Sequence, residues 1–257
     1  MSAEQLIARK VYGALTRFDL KPYRRMMGDV YVSEIVSCIR RAALNMFFNA
    51  DPVLDDPRAV RGKLLHAALP KALVDEFCGA TFEVPCSYPV SDEVTLRGRA
   101  DMVAGDTVYE FKFTSPYSEA TQLYFAQAKG VWGDSAVGWF LTALPPAPMV
   151  WGRAANPRTS ANAYAVMLEA KLFYVVIVDV DRQHMDVRVL SGEPDLQAFE
   201  ALCERAKVAF DAAFNRRDPL SAPGADFPWL CQRCPWSVVC SRVEEVAGRA
   251  GEGEGQG

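Results

Sequence analysis

The apolar residues of "VTLRGRADMVAGDTVYEFKF", residues 94–113, recur with a period of two and are interrupted by the turn pair Gly105-Asp106. Alternation of this kind is the signature of strands, and a two-residue glycine turn between two such runs predicts a hairpin, here with strands near 94–103 and 107–113. Another strand is predicted near 82–90. "AVGWFLTAL" (136–144) reads as a buried strand, and "LFYVVIVDV" (172–180) with "MDVRVL" (185–190) reads as a later strand pair. Helical periods dominate elsewhere. Residues 1–50 read as mostly helical, with "VSEIVSCIRRAALNMFF" amphipathic and Ser33 as its N-cap. A second helix follows Asp56 as cap, carries Pro57 in its first turn and ends before Gly79, with Pro70 placed to kink or split it. Ser115-Pro116 opens a third helix, residues 145–162 read as a long loop, and 194–215 as a last helix. The terminal "GRAGEGEGQG" has the composition of a disordered tail.

Side chains alternate faces along a strand, so Glu110 and Lys112 share one face of the hairpin while Phe111 points the other way, into a core. Asp101 lies on the partner strand, and pairing across the turn brings it toward Glu110. Two adjacent carboxylates resist joint ionisation, and a hard divalent cation such as magnesium or manganese removes that conflict. A lysine two residues on would orient a water or offset phosphate charge, as in metal-assisted phosphodiester hydrolysis. The bland alternative is a solvated Glu-x-Lys pair on an exposed strand face, worth little energetically.

Composition narrows the field. The 257 residues are half hydrophobic, enough for a substantial core. A net charge of −4 speaks against general adhesion to nucleic acid. A nucleic-acid site would have to be a local basic groove, with Arg24, Arg25, Arg40, Arg41, Arg61, Lys63, Arg97 and Arg99 as candidates. "MSAEQLIARKVYGAL" lacks the apolar centre of a signal peptide, and "AYAVMLEAKLFYVVIVDV" is broken by Glu169 and Lys171, so a cytoplasmic protein without a membrane span is expected. Of seven cysteines, three fall in "CQRCPWSVVC" as Cys231, Cys234 and Cys240. In a cytosolic chain that crowding favours a metal site over disulfides. A tetrahedral thiolate site, of zinc or of an iron–sulfur cluster, needs four ligands, and Cys38, just before Arg40-Arg41, is the candidate fourth. Cys78, Cys86 and Cys203 read as packing residues.

The order Cys38, "GKLLH", "GRAD", "EFK", "QAKGV", "CQRCPWSVVC" resembles the RecB-like nucleases of the PD-(D/E)xK superfamily, and within them the CRISPR-associated iron–sulfur exonucleases, over residues 33 to 242. The resemblance implies an α/β fold, a restriction-endonuclease-like mixed sheet flanked by helices, with a cluster joining an N-terminal helical part to a C-terminal tail. It implies that His66, Asp101, Glu110 and the backbone carbonyl of Phe111 hold Mn2+ or Mg2+, and that Lys112 is the catalytic lysine. Gln127 matches the glutamine of a helix motif that usually runs Gln-x3-Tyr, although Val131 stands in the tyrosine position and Tyr124 lies one turn before Gln127. Cys38, Cys231, Cys234 and Cys240 match the ligands of an iron–sulfur cluster of four-iron (4Fe-4S) or two-iron (2Fe-2S) type.

The implied organisation is an N-terminal helical part (1–55), a nuclease core (56–192), a C-terminal helix and cysteine cluster (193–246) and a disordered tail (247–257). The implied activity is metal-dependent, 5′-to-3′ exonucleolytic cleavage of single-stranded DNA in CRISPR spacer acquisition, with the CRISPR integrase subunits as partners. The alternatives are a RecB-type repair nuclease without a CRISPR link, a catalytically inactive iron–sulfur DNA-binding protein, and a redox carrier.

Overall fold

The computed structural model describes residues 25–50, 57–114, 155–180, 185–225, 231 and 234–241. Gln127, Tyr124, Val131, His184, the Asp56 cap, the helix opened by Ser115, the strand at 136–144 and the C-terminal tail lie outside them. In chain order the elements are β1 (Asp29–Tyr31), α1 (Val32–Ile35), α2 (Ile39–Phe47), α3 (Pro57–Leu73), β2 (Thr81–Pro89), β3 (Thr95–Ala104), β4 (Thr107–Thr114), α4 (Ala155–Met167), β5 (Leu172–Val180), β6 (Met185–Gly192) and α5 (Leu196–Phe210). A π-helical turn (Asp211–Asn215) and a 3-10 turn (Pro219–Ser221) follow. The chain divides into two compact units. One comprises Met1–Pro22, Asp55–Ser87 and Gly98–Glu200; the other comprises Tyr23–Leu54, Tyr88–Arg97 and Ala201–Gly257.

The first unit is a mixed sheet with helices packed on it. β3 and β4 are antiparallel, β4 and β5 parallel, and β5 and β6 antiparallel. β5 is paired on both edges, with β4 and with β6. Phe173 and Val175 of β5 are buried. α3 packs on β4, and α4 packs on β4 and β5. α4 begins at Ala155, inside the segment expected to be loop through residue 162. Pro157 stands in the first turn of this helix, where a proline forfeits no helical hydrogen bond. The alanines then let the helix lie close, since Ala161, Ala163 and Ala165 are fully buried. α3 runs through Pro70 and stops three residues later, where the 17-residue helix gives way to turns.

Residues 1–24 of the segment read as mostly helical lie outside the described residues, and in residues 25–50 the second unit adds a short strand to two helices. Asp29–Tyr31 form a strand parallel to the first half of β3, with Val30 opposite Leu96, and Arg97 Nε lies 2.5 Å from Asp29 Oδ1. The amphipathic stretch beyond it is two helices, not one capped by Ser33. Tyr31 holds the N-cap position of α1. Cys38 is extended (φ −164°, ψ 119°) and caps α2, its Sγ accepting from the Arg41 amide at 3.4 Å. A buried polar chain ties this helical pair to the C-terminal segment. Trp236 Nε1 donates to Asn45 Oδ1 at 2.7 Å, Asn45 Nδ2 donates to Glu34 Oε1 at 2.9 Å, and Arg25 pairs with Glu34. Trp236 also stacks on Phe48, and the Arg40 amide donates to the Pro223 carbonyl at 2.9 Å.

Close packing in the first unit turns on Gly98. A Cβ there would lie 2.3 Å from Cε1 of Tyr164 on α4 and 3.3 Å from the Cys86 Sγ. Gly98→Ala should therefore destabilise the protein by about 1–3 kcal/mol. Gly62→Ala, in the interior of α3 with nothing near its Cβ position, should raise stability by up to about 1 kcal/mol. Urea denaturation midpoints of the two variants check this, and equal midpoints would contradict the packing described.

Candidate active site

Gly105 adopts φ +59°, a left-handed conformation that favours glycine and closes β3 onto β4 in a two-residue turn. The register runs Ala104↔Thr107, Val103↔Val108, Met102↔Tyr109, and Asp101 and Glu110 are the next residues along the two strands, just beyond the paired stretch. Continued, that register puts them on one face, and Lys112 is two residues beyond Glu110. The predicted trio is thus brought together. Lys112 Nζ lies 2.6 Å from Glu110 Oε1. Asp101 Oδ2 accepts the Phe111 amide at 2.7 Å, which fixes its carboxylate against the neighbouring strand. His66, on α3, faces Asp101 with Nδ1 3.6 Å from Oδ1, and its ring meets Phe113 edge-on. Phe111 is buried as expected, and the contact it makes with the site is its amide donation to Asp101.

Burial removes the bland reading of Glu110 as half of a solvated pair, because the residue is 4 % exposed. Among the described residues its Oε2 is buried with no hydrogen-bond partner at the geometry shown. Burial pushes its pKa up to about 7; the Lys112 ammonium opposes that rise and the Asp101 charge adds to it, as does the hydrogen bond that a proton on Glu110 would let it donate to Asp101. For Lys112, burial pulls the pKa down, but the charges of Glu110 and Asp101 and the hydrogen bond to Glu110 outweigh it, and the net shift is upward. Burial lowers the His66 pKa, and Lys112 and Arg99 lower it further against the pull of Asp101. His66 is therefore a neutral imidazole at neutral pH, with a lone pair to give. The donor set is one imidazole nitrogen and carboxylate oxygens, one of them orphaned, which suits magnesium or manganese. Among the described residues, no three His, Cys, Asp or Glu side chains are drawn together tightly enough to cage an ion as they stand.

Two residues that the sequence did not single out for this site border it. Tyr164, 5 % exposed, covers Gly98, and its hydroxyl pKa is raised by burial and then by the charges of Glu110, Cys86 and Asp101. The only sequence signal was spacing. Ser160 and Tyr164 are both buried and stand four apart on α4, the interval of the Gln-x3-Tyr helix motif sought at Gln127. Cys86 is buried, as expected of a packing residue, and burial beside Glu110 pushes its thiol up to about 12.

In the second unit the thiols of Cys38 and Cys240 feel the charge of the other tail cysteines, but among the described residues no three cysteines stand close enough together to cage a metal ion. Burial raises the Cys38 pKa, and Cys234, Cys231 and Cys240 each add to the rise. Burial likewise raises Cys240, against a hydrogen bond from Arg40. Cys203 is buried in α5 as expected, but Cys78 is exposed, which corrects its reading as a packing residue. It follows the end of α3 in a run of turns, where nothing covers it as a helical continuation would have done.

Comparison with solved structures shows what this arrangement sits in. The chain is similar to the crystal structure of SSO0001 over 91 % of its own length and 96 % of that chain, with a TM-score of 0.57 and 17 % identity, a likeness of fold. An alkaline exonuclease, LHK-Exo from Laribacter hongkongensis, aligns over 74 % of this chain and 90 % of its own at 12 % identity and a TM-score of 0.45. LHK-Exo in complex with dAMP aligns over 74 % and 94 % at 12 % identity and a TM-score of 0.42. Neither the models of known families nor the curated proteins contain a match. No described helix is long and apolar enough to cross a membrane.

Glu110 should leave a mark on stability. Its carboxyl titrates near 4.5 when unfolded and at about 7 when folded, so the folded state holds the proton more tightly. In metal-free protein this group's contribution is most favourable below about pH 4.5, declines as pH rises to about 7, and is constant above that. The decline corresponds to on the order of 3 kcal/mol at most, because the Lys112 pair is coupled to it. Glu110→Gln should flatten it. Urea midpoints measured in EDTA at about pH 5 and about pH 8 give the test, and the same difference in both proteins would show that Glu110 titrates normally.

Proposed function

We propose that this chain is a metal-dependent nuclease acting on DNA. The observation that carries the reading is Glu110: a buried carboxylate with one orphaned oxygen, set across from Asp101 and held by Lys112 on one face of the hairpin. Burying a carboxylate beside a second carboxylate, with one ammonium between them, is costly, and a bound cation would offset that cost. Asp101, Glu110, His66 and the carbonyl of Phe111 would hold magnesium or manganese. The ion would supply Lewis acidity toward the phosphate and a lowered pKa for the attacking water. Asp101 is already oriented by the Phe111 amide, and His66 already has the neutral form a ligand needs. Lys112, 37 % exposed at its side chain, can move from Glu110 toward the water or the charge developing on the phosphate. Gln127 would orient the DNA.

The sequence resemblance extends the reading to an exonuclease on single-stranded DNA, 5′-to-3′, that trims new CRISPR spacers beside the integrase subunits. It also extends it to an iron–sulfur cluster on Cys38, Cys231, Cys234 and Cys240. The donor chemistry of four thiols suits such a cluster, and the Trp236–Asn45–Glu34 chain brings the segment bearing Cys234 and Cys240 onto the helices that bear Cys38.

Asp101→Ala, Glu110→Ala and Lys112→Ala should each lower manganese-dependent cleavage of end-labelled single-stranded DNA by at least about a hundredfold with unchanged circular dichroism. His66→Ala should raise the manganese concentration needed. Full activity in any one of the first three would remove that residue from the mechanism. For the cluster, anaerobically purified Cys38→Ala should lose bound iron and visible absorbance as fully as Cys231→Ala, and Cys203→Ala should keep both. Retention in Cys38→Ala would end the four-thiol assignment.

A further inference from the structure

Several of the basic residues that could have formed a DNA groove are engaged elsewhere. Arg25 is buried against Glu34, Arg97 is paired with Asp29, and the Arg40 Nε donates to the Ala222 carbonyl. Arg99 differs. It lies two residues before Asp101 on β3, so its side chain projects from the same strand face as the site. Its charge reaches both His66 and Tyr164. Its side chain is 45 % exposed and lies outside the Glu110–Lys112 pair. Its partner is neither site carboxylate but Glu83 of β2, with Nε 2.5 Å from Oε2. Glu83 is 39 % exposed at its side chain and has φ +55°, a left-handed conformation that is strained for a glutamate inside a strand.

Resting on the nuclease reading of this site, we propose that Arg99 is a substrate-binding residue, gripping a backbone phosphate of the DNA strand beside the one being cut, with Glu83 as the anion it releases to do so. A guanidinium presents a planar fork of donors that matches two phosphate oxygens. An exposed ion pair contributes little stability and is readily exchanged. Glu83 meanwhile holds the guanidinium at β2 through its Nε until a phosphate takes its place. The guanidinium exchanges one monoanionic partner for another, and the released Glu83 carboxylate stays beside it as a competing anion.

The test is the affinity of the full-length protein for fluorescein-labelled oligo(dT), read by anisotropy in calcium over a range of salt, beside cleavage in manganese. Arg99→Ala should weaken binding roughly tenfold and reduce the slope of log affinity against log salt by about 0.7, the share of one phosphate contact on a single strand. Arg99→Lys should keep the slope and recover part of the affinity. Glu83→Gln should bind more tightly than the wild type, a gain that misfolding does not produce. Wild-type affinity and slope in Arg99→Ala, while the wild type binds and cuts DNA, would overturn the role of Arg99 and leave the nuclease reading standing. Weaker binding by Glu83→Gln would overturn the exchange. A wild type that neither binds nor cuts would bring down the nuclease reading and this one with it.

Discussion

The charge of Glu110 has nowhere to go without help from its neighbours, and the first unit is arranged around that constraint. The carboxyl sits in the middle of β4 with strands on either side and α4 packed over β4 and β5. Water cannot solvate it, so its ionisation depends on Lys112 on one side and is opposed by Asp101 across the strand. The same burial that strains the carboxylate makes His66 a neutral base and leaves one glutamate oxygen without a partner. These three effects have one origin, a low-dielectric setting on the face that holds the chemistry. Such a setting is where a divalent cation gains most from carboxylate oxygens.

The second unit solves a different problem with polar contacts. Glu34 and Asn45 are buried, and each would be costly alone. They satisfy one another, and the chain is closed by Trp236 from the far end of the sequence. Trp236 lies between Cys234 and Cys240, and Cys38 caps the helix that carries Asn45. The tryptophan indole therefore ties the segment that carries Cys234 and Cys240 to the helix that Cys38 caps.

How much of this was readable depended on the range of the forces involved. The β3–β4 hairpin, the shared face of Glu110 and Lys112 and the inward turn of Phe111 follow from period and turn chemistry, which are local. The burial of Glu110 does not, because Glu-x-Lys alternation looks the same on a wet face and on one covered by helices distant in sequence. β1 is three residues long and has no period to read. The break between α1 and α2 escaped notice because the apolar spacing runs through it, and only the extended backbone of Cys38 interrupts the helix. Tyr164 was passed over because an aromatic among alanines on a helix is the pattern of ordinary packing. Its closeness to the carboxylates is set by Gly98, whose missing side chain admits the ring. Cys38 was associated with the distant cysteines by motif order rather than by any local signal.

The two pairings of β4 also belong to different moments in the life of the chain. Its antiparallel partner β3 is reached across two residues, while its parallel partner β5 is found only after the long connection that carries α4. Closing a short loop takes far less time than closing a long one, and parallel crossovers lag behind hairpins. Asp101 and Glu110 can thus meet on a nascent hairpin before β5 and α4 arrive to bury them. During that interval the carboxylates are still hydrated and meet without the cost they bear in the finished protein, so the site is assembled in water and dried afterwards.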